Sequence, residues 1–180
     1  MRAIRLAVFA CLLFASSLAT AQPPAESYLD EHLAPFKPFL GKTFRGELKD
    51  STPEKPLFDV SRWERMLAGK AVRNQHSVGD GVYCGESIVF WDSASSSLIY
   101  YYFTTGGFYT QGTMTVEGGK YTAHEKVTGE VEGITEVRST GELLADGTLK
   151  VSSEYLKDGQ WVPGHAALYR EAPDAQVLCP

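Results

Sequence analysis

Positive charge is scarce in this 180-residue chain, which has 17 Lys and Arg against 22 Asp and Glu and a net charge of −5 at pH 7. A chain short of positive charge lacks the attraction by which proteins bind a phosphate backbone. We therefore expect no nucleic acid partner. The length is near that of one domain, which argues against a two-domain enzyme.

Long apolar runs are absent after residue 21, and the run over residues 6–18 is shorter than the ~20 residues that a membrane-spanning helix needs. Arg2 and Arg5 precede this run, and the small residues 19–21 follow it, as in a secretory signal. We predict that residues 1–21 are a cleaved signal peptide and that the protein is periplasmic or secreted, with no membrane-spanning segment.

Cysteines are also few, with three in the chain. Cys11 lies in the predicted signal peptide, which leaves Cys84 and Cys179 as an even pair in an oxidising compartment. A disulfide between them would close a loop of about 95 residues, worth ~4–5 kcal/mol in the chain-entropy model. Two free thiols are the alternative, and the sequence leaves both open.

Several catalytic and cofactor motifs are missing. No pair of His or Cys residues has the spacing of a zinc site, and no Gly-x-Ser-x-Gly turn is present for a nucleophilic serine. The run Thr104 to Gly107 lacks the helix that follows a phosphate-binding loop, so it predicts a hairpin turn. We expect no metal and no cofactor.

One short helix and ten strands are predicted. Residues 26–34 have apolar side chains at helical spacing before Pro35, within an N-terminal helix and entrance segment over residues 22–42. From Thr43 onward, runs rich in Val, Ile, Thr, Tyr and Phe are separated by glycine-containing turns. These runs predict strands over residues 43–49, 58–67, 70–78, 82–92, 97–104, 107–117, 120–127, 134–145, 148–157 and 160–170.

The turns between these strands are short enough to require antiparallel neighbours, so strand order in the chain should equal strand order in space. Ten such strands leave two exposed edges unless the sheet closes. We therefore predict an all-β fold, a single ten-stranded antiparallel up-and-down barrel over residues 43–171, followed by a C-terminal tail over residues 172–180.

The stretch Phe39 to Gly46 resembles the Gly-x-Trp entrance strand of the calycin group, which includes lipocalins, fatty-acid-binding proteins and nitrobindin-like barrels. Phe44 stands where tryptophan is usual. Tyr169-Arg170 resembles the closing-strand arginine that packs over the entrance aromatic, and Cys84 with Cys179 resembles the lipocalin bridge to the tail. The resemblance implies an exported, lipocalin-like barrel that binds a ligand.

Turn length sets the pairing register, and register decides which face each side chain takes. The turn at residues 68–69 pairs Trp63 with Asn74, and the other turns extend the same interior face around the barrel. For residues 100–103 the preceding loop is too long to decide between the two faces. The derived interior holds a set of candidate ligand-binding residues: Trp63, Asn74, His76, Glu86, Glu125, Arg138 and Tyr155.

Charged groups inside a barrel are costly unless they are paired, so this set indicates an internal network or a polar ligand. We predict a barrel that encloses a small, partly apolar organic ligand and holds its polar end. A structural network of Glu86 or Glu125 with Arg138 is one alternative. A second is an enzyme that uses His76 and Glu86 as an acid-base pair.

Haem binding is a further alternative that the resemblance raises, because nitrobindin-like barrels carry an axial histidine on the closing strand. His165 precedes Tyr169-Arg170 at a different spacing. The two-residue turn Asp158-Gly159 pairs His165 with Ser152 on the outer face, unless a bulge at Pro163 reverses it. We therefore expect an outward His165 that binds no haem.

Overall fold

The computed structural model describes residues 28–129 and 131–179, and the predicted signal peptide lies outside them. Ten antiparallel strands form one closed barrel in chain order, with β1 paired to β10, which confirms the predicted fold class. The predicted first, sixth and eighth strands are each two residues shorter in the structure. The strands are β1 Thr43–Glu47, β2 Phe58–Met66, β3 Ala71–Val78, β4 Tyr83–Asp92, β5 Ser97–Thr104, β6 Tyr109–Glu117, β7 Lys120–Thr128, β8 Ile134–Leu143, β9 Leu149–Lys157 and β10 Gln160–Glu171.

Alternating side chains give each strand one inner and one outer face, and β7 shows the pattern clearly, with buried and exposed residues in turn over most of its length. The turn before it uses Gly118 and Gly119, both with positive φ, which glycine adopts without strain. The pairings of Trp63 with Asn74 and of Glu125 with Gly112 are as predicted.

One end of the barrel is closed by the N-terminal segment. A 3₁₀ helix runs over Glu31–Phe36, so the predicted helix at 26–34 was placed too early and Pro35 lies inside the turn rather than after it. Asp30 caps it by accepting a hydrogen bond from the His32 backbone N–H. Four apolar residues of this segment and of β1 are 0% exposed and form the base of the core: Leu33, Phe36, Phe39 and Phe44.

The β3–β4 hairpin has a four-residue loop, so Val78 pairs with Tyr83 and not with Val82 as predicted. The extra residue arises because Gly79, Asp80 and Gly81 all have positive φ, a conformation that turn length alone does not reveal. A slip of one residue moves every side chain of a strand to the other face. The prediction that Glu86 faces inward is therefore wrong.

The β8–β9 hairpin differs from the prediction for a similar reason. The Leu144 N–H donates to the Thr148 carbonyl at 2.8 Å across a three-residue turn, where a two-residue turn was predicted. The register becomes Leu143 with Leu149, and Arg138 pairs with Glu154. Arg138 is exposed on the outer face, so its assignment to the interior is wrong.

A β-bulge interrupts β10 between Pro163 and Ala166. Gly164 sits in the bulge, where a Cβ atom would lie 2.6 Å from the Tyr155 ring, so the close approach requires glycine. Beyond the bulge the register shifts by one residue and His165 turns inward. The prediction of an outward His165 is wrong, because the bulge that would reverse it is present.

The same shift places Arg170 on the exposed face opposite Arg45, whereas Phe44 is buried on the inner face. The expected packing of the closing-strand arginine over the entrance aromatic is therefore not formed. Tyr169 faces inward instead and lies against Gly46, where a Cβ would come within 2.8 Å of the tyrosine ring.

The C-terminal tail runs along the outside of the barrel and is attached at two points. Cys84 and Cys179 form a disulfide with a Cα–Cα distance of 5.9 Å. The Leu178 N–H donates to the Ser77 hydroxyl at 2.9 Å. In the observed register of β4 the Cys84 side chain points outward, so Cys179 of the tail can form the disulfide with it. Within the described ranges, no helix is long and apolar enough to cross a membrane.

Removal of the disulfide by Cys84→Ala with Cys179→Ala is expected to lower the free energy of unfolding by up to ~4–5 kcal/mol, since the bond restrains a separation of 95 residues. For a domain of this size each kcal/mol corresponds to about 2–4 °C in Tm. Thermal unfolding followed by circular dichroism measures the change. Wild type treated with a reductant is the control and should match the variant. Labelling of Cys84 and Cys179 by a thiol reagent in denaturant without reductant would contradict the bridge.

Candidate ligand-binding cavity

The barrel encloses a cavity of about 500 Å³ above the aromatic base. Its inner end is apolar, and the Trp63 ring packs there at a tilt against Phe39 and Tyr121, with ring centroids 5.3 and 5.5 Å apart. At the far end, residues from the loops opposite the N-terminal helix and the first residue of β8 surround the opening: Leu48, Phe108, Val131, Glu132 and Ile134. The cavity is thus closed at the base, and its opening lies among the loops.

A chain of hydrogen bonds runs along one wall. The Asp59 carboxylate accepts a hydrogen bond from His76 Nδ1 at 3.0 Å, and His76 Nε2 in turn accepts one from the Tyr102 hydroxyl at 2.8 Å. The Tyr83 hydroxyl lies 2.9 Å from that of Tyr102. Burial raises the pKa of both phenols, so they remain protonated donors at neutral pH.

The second oxygen of Asp59 extends the chain to β10. The Tyr169 hydroxyl donates to it at 2.7 Å, and His165 Nε2 lies 3.0 Å from the same hydroxyl. Burial and the Asp59 charge raise the pKa of Tyr169, while burial lowers the pKa of His165. Because Tyr169 donates to Asp59, the network assigns the His165 proton to Nε2 as donor to Tyr169.

Glu125 stands apart from this chain on β7 and is 3% exposed. Its carboxylate accepts hydrogen bonds from the hydroxyls of Thr110 and, at 2.9 Å, Ser139. Burial raises its pKa above the ordinary value of 4.5, although the two hydroxyls and the nearby His124 act in the opposite direction. Removal from water therefore has a larger effect than the hydrogen bonds do.

Five of the seven predicted site residues line the cavity: Trp63, Asn74, His76, Glu125 and Tyr155. Their role in binding stays a prediction. Glu86 lies outside, where Gln75 donates to it at 2.8 Å, and Arg138 lies outside over the Trp161 ring at 3.8 Å. The proposed His76–Glu86 pair and the proposed networks with Arg138 are therefore not formed.

Several cavity residues were missed by the sequence reasoning. Asp59 is two residues before Ser61 and four before Trp63, so strand alternation alone could have placed it inside. Tyr100 and Tyr102 face inward, a choice that the long β4–β5 loop left open. His165 and Tyr169 depend on the bulge, for which Pro163 and Gly164 were the available signal.

The donor set of the cavity suits organic polar groups. Within residues 28–129 and 131–179, no three His, Cys, Asp or Glu side chains converge as metal ligands would. His165 is the histidine that a haem iron would require on the closing strand, and its Nε2 is engaged by Tyr169. What remains is an apolar space with carboxylates, imidazoles and phenols along its walls.

Glu125→Gln should make the protein more stable than wild type near pH 8 and equally stable near pH 4. A raised native pKa means that the native state keeps a proton that the unfolded state has lost, so wild-type stability falls as pH rises from 4.5 through the native pKa. The amide has no such dependence. Each tenfold gain in proton affinity on folding corresponds to about 1.4 kcal/mol, and Tm measured across this range detects it. Glu136→Gln on the outer face is the matched control. A lower Tm for Glu125→Gln at pH 8 would show that the carboxylate stabilises the barrel.

Comparison with known proteins supports the barrel fold and indicates no activity. No family model matches the chain, and no curated protein matches it significantly. Sixteen chains of solved structures do match. One is the crystal structure of Rv2717c from M. tuberculosis, with a TM-score of 0.57 and 16% identity over 81% of this chain and 99% of that one. At this identity the likeness shows a shared barrel fold alone.

Proposed function

We propose that this protein binds a small, partly apolar organic molecule inside its barrel. The observation that carries the proposal is the cavity of about 500 Å³, which has the size and mixed lining of small-molecule sites. A barrel built for shape alone would fill this space with side chains. The space that the side chains leave unfilled therefore supports a ligand-binding function.

The cavity lining combines apolar walls with buried carboxylates, and this supports a ligand with an apolar body and a polar part. Met114, Leu149 and Val151 line the walls, so an apolar group placed there would be removed from water. That transfer contributes roughly 25 cal/mol per Å² of apolar surface. Asp59 and Glu125 would hold the polar part of the ligand.

Export would fit this role. The predicted signal peptide over residues 1–21 and the Cys84–Cys179 bond both favour an oxidising compartment, periplasmic or extracellular, where disulfides persist. A relationship to the calycin group belongs to the same proposal. The buried Phe44 on the first strand supports it, and the exposed Arg170 weighs against it.

A variant that fills the cavity tests the proposal. Val151→Trp adds an indole on the inner face of β9, and Lys150→Trp places the same group on the outer face one residue earlier. We expect wild type and Lys150→Trp to bind the neutral dye Nile red with a saturable rise in fluorescence. Val151→Trp should bind it at least about tenfold more weakly, since the space is occupied.

Native mass spectrometry of protein purified from its own host is the companion measurement, and it should show a co-purified small molecule that Val151→Trp lacks. Circular dichroism and Tm establish that both variants fold. Equal dye binding by folded Val151→Trp would place the dye on the outer surface and contradict the proposal.

Haem binding is a second candidate, because the bulge turns His165 into the cavity. The surroundings do not fit a haem group well. The network assigns His165 Nε2 as donor to Tyr169, and no Lys or Arg among the described residues lines the cavity to pair with propionates. The inward histidine thus has a structural partner already.

We expect a haem titration of wild type to give no saturable Soret shift. The reason differs from the one drawn from the sequence: the imidazole is inside but its Nε2 is occupied. His165→Ala is the control for nonspecific haem uptake. A saturable shift in wild type that is lost in His165→Ala would make haem the favoured ligand.

A further inference from the structure

The charge lining the cavity has one sign. Three carboxylates line it, Asp59 and Glu125 deep inside and Glu132 at the rim, and none of the described lining residues is Lys or Arg. Asp59 is 5% exposed and Glu125 is 3% exposed. Binding sites for anionic ligands use Arg or Lys for charge pairing. This lining is the opposite of what a fatty acid or another carboxylate requires.

The two deep carboxylates are not equivalent. Asp59 accepts hydrogen bonds from His76 and Tyr169, one on each oxygen, so its surroundings are built to hold it. Glu125 accepts hydrogen bonds from two neutral hydroxyls and forms no ion pair with any described Lys, Arg or His. Buried carboxylates are normally paired with a cation. Glu125 therefore lacks a cationic partner among the described residues, and a bound ligand could supply the positive charge.

Two tyrosines lie on the same inner wall as Glu125, one across the sheet and one farther along β7. Tyr100 lies level with it across Gly112, since Tyr100 pairs with Gly112 and Gly112 pairs with Glu125. A Cβ at Gly112 would lie 1.8 Å from the His124 carbonyl oxygen, so glycine is required where β6 approaches β7. Tyr121 lies four residues before Glu125 on the same face of β7 and packs against Trp63 at 5.5 Å. Burial, and to a smaller extent the Glu125 charge, raise the pKa of Tyr100 and Tyr121.

A buried carboxylate in a cavity walled partly by aromatic rings is chemistry that recognises an organic ammonium group, which is attracted to ring faces as well as to the charge. We propose that the cavity selects a small organic amine, whose charged nitrogen pairs with Glu125 on the side of Tyr100 while its apolar body fills the inner end against Tyr121. This inference rests on the proposed ligand-binding function and names the class of ligand.

A set of three naphthalene compounds separates charge from shape. 1-Naphthylmethylamine is cationic near pH 7, 1-naphthalenemethanol is neutral and 1-naphthoate is anionic, on the same aromatic body. Each is tested for displacement of Nile red. We expect wild type to bind the amine at least about tenfold more tightly than the naphthoate, with the alcohol between them.

Glu125→Gln should bind the amine about tenfold more weakly than wild type does and leave the alcohol unchanged. Glu136→Gln, which alters a carboxylate on the outer face beside His124, should keep the wild-type order. Naphthoate binding as tight as that of the amine, or an amine preference that survives in Glu125→Gln, would overturn the proposal.

Proton release gives a measurement that needs no variant. An ammonium group beside Glu125 favours its ionised form, so amine binding should release protons at pH values above 4.5, where burial keeps Glu125 protonated in the free protein. Calorimetry in buffers of different ionisation enthalpy measures this release. The other groups near the cavity that could contribute are Asp59, Glu132, His76, His165 and Lys49 near its rim, together with the outward His124 and the lining tyrosines. The alcohol reports their contribution, and equal proton release by alcohol and amine would overturn the proposal.

The outcomes also separate this inference from the proposed function. If Val151→Trp blocks Nile red but the amine has no preference over the alcohol, the barrel binds a ligand and the charge inference is wrong. If folded Val151→Trp binds Nile red as wild type does, the ligand-binding function itself is wrong.

Discussion

The pairing register of the ten hairpin-linked strands is the constraint on which the rest of this structure depends. Side chains alternate between the two faces of a strand, so each turn length decides which half of the next strand lines the cavity. In a closed barrel both faces of every strand are committed, one to the interior and one to the outside. The interior of this protein is therefore set as much by its loops as by its strands.

Polar groups inside the barrel are tolerated because most of them are connected. Asp59 joins His76 and Tyr102 on one side to Tyr169 and His165 on the other, which links β2, β3, β5 and β10 through side-chain hydrogen bonds. Such a chain satisfies groups that would otherwise be costly to bury, and it fixes their orientation. Glu125 differs because it has hydrogen bonds but no opposite charge among the described residues, which is why the inferred ligand chemistry centres on it.

Closure at one end gives the cavity its direction. The 3₁₀ helix Glu31–Phe36 and the buried aromatic residues around Trp63 fill the base, so in the described part of the chain the cavity opens among the loops at the other end. The tail and its disulfide lie on the outer face of β3 and β4, and Cys84 lies close to the β3–β4 loop, at the same end of the barrel as the opening. The disulfide thus fixes the tail outside the barrel without entering the cavity.

The sequence by itself determined the all-β class, the order of the strands and the interior face of β2, β3, β6 and β7, because alternation and short turns are local properties. It placed Trp63, His76 and Glu125 correctly for that reason. It failed at Glu86, Arg138 and His165, where a left-handed loop, a three-residue turn and a bulge each shift the register by one residue. Only the tertiary structure decided these positions, because an extra residue costs little in the loop or bulge, and packing around the whole barrel selects whether it is used.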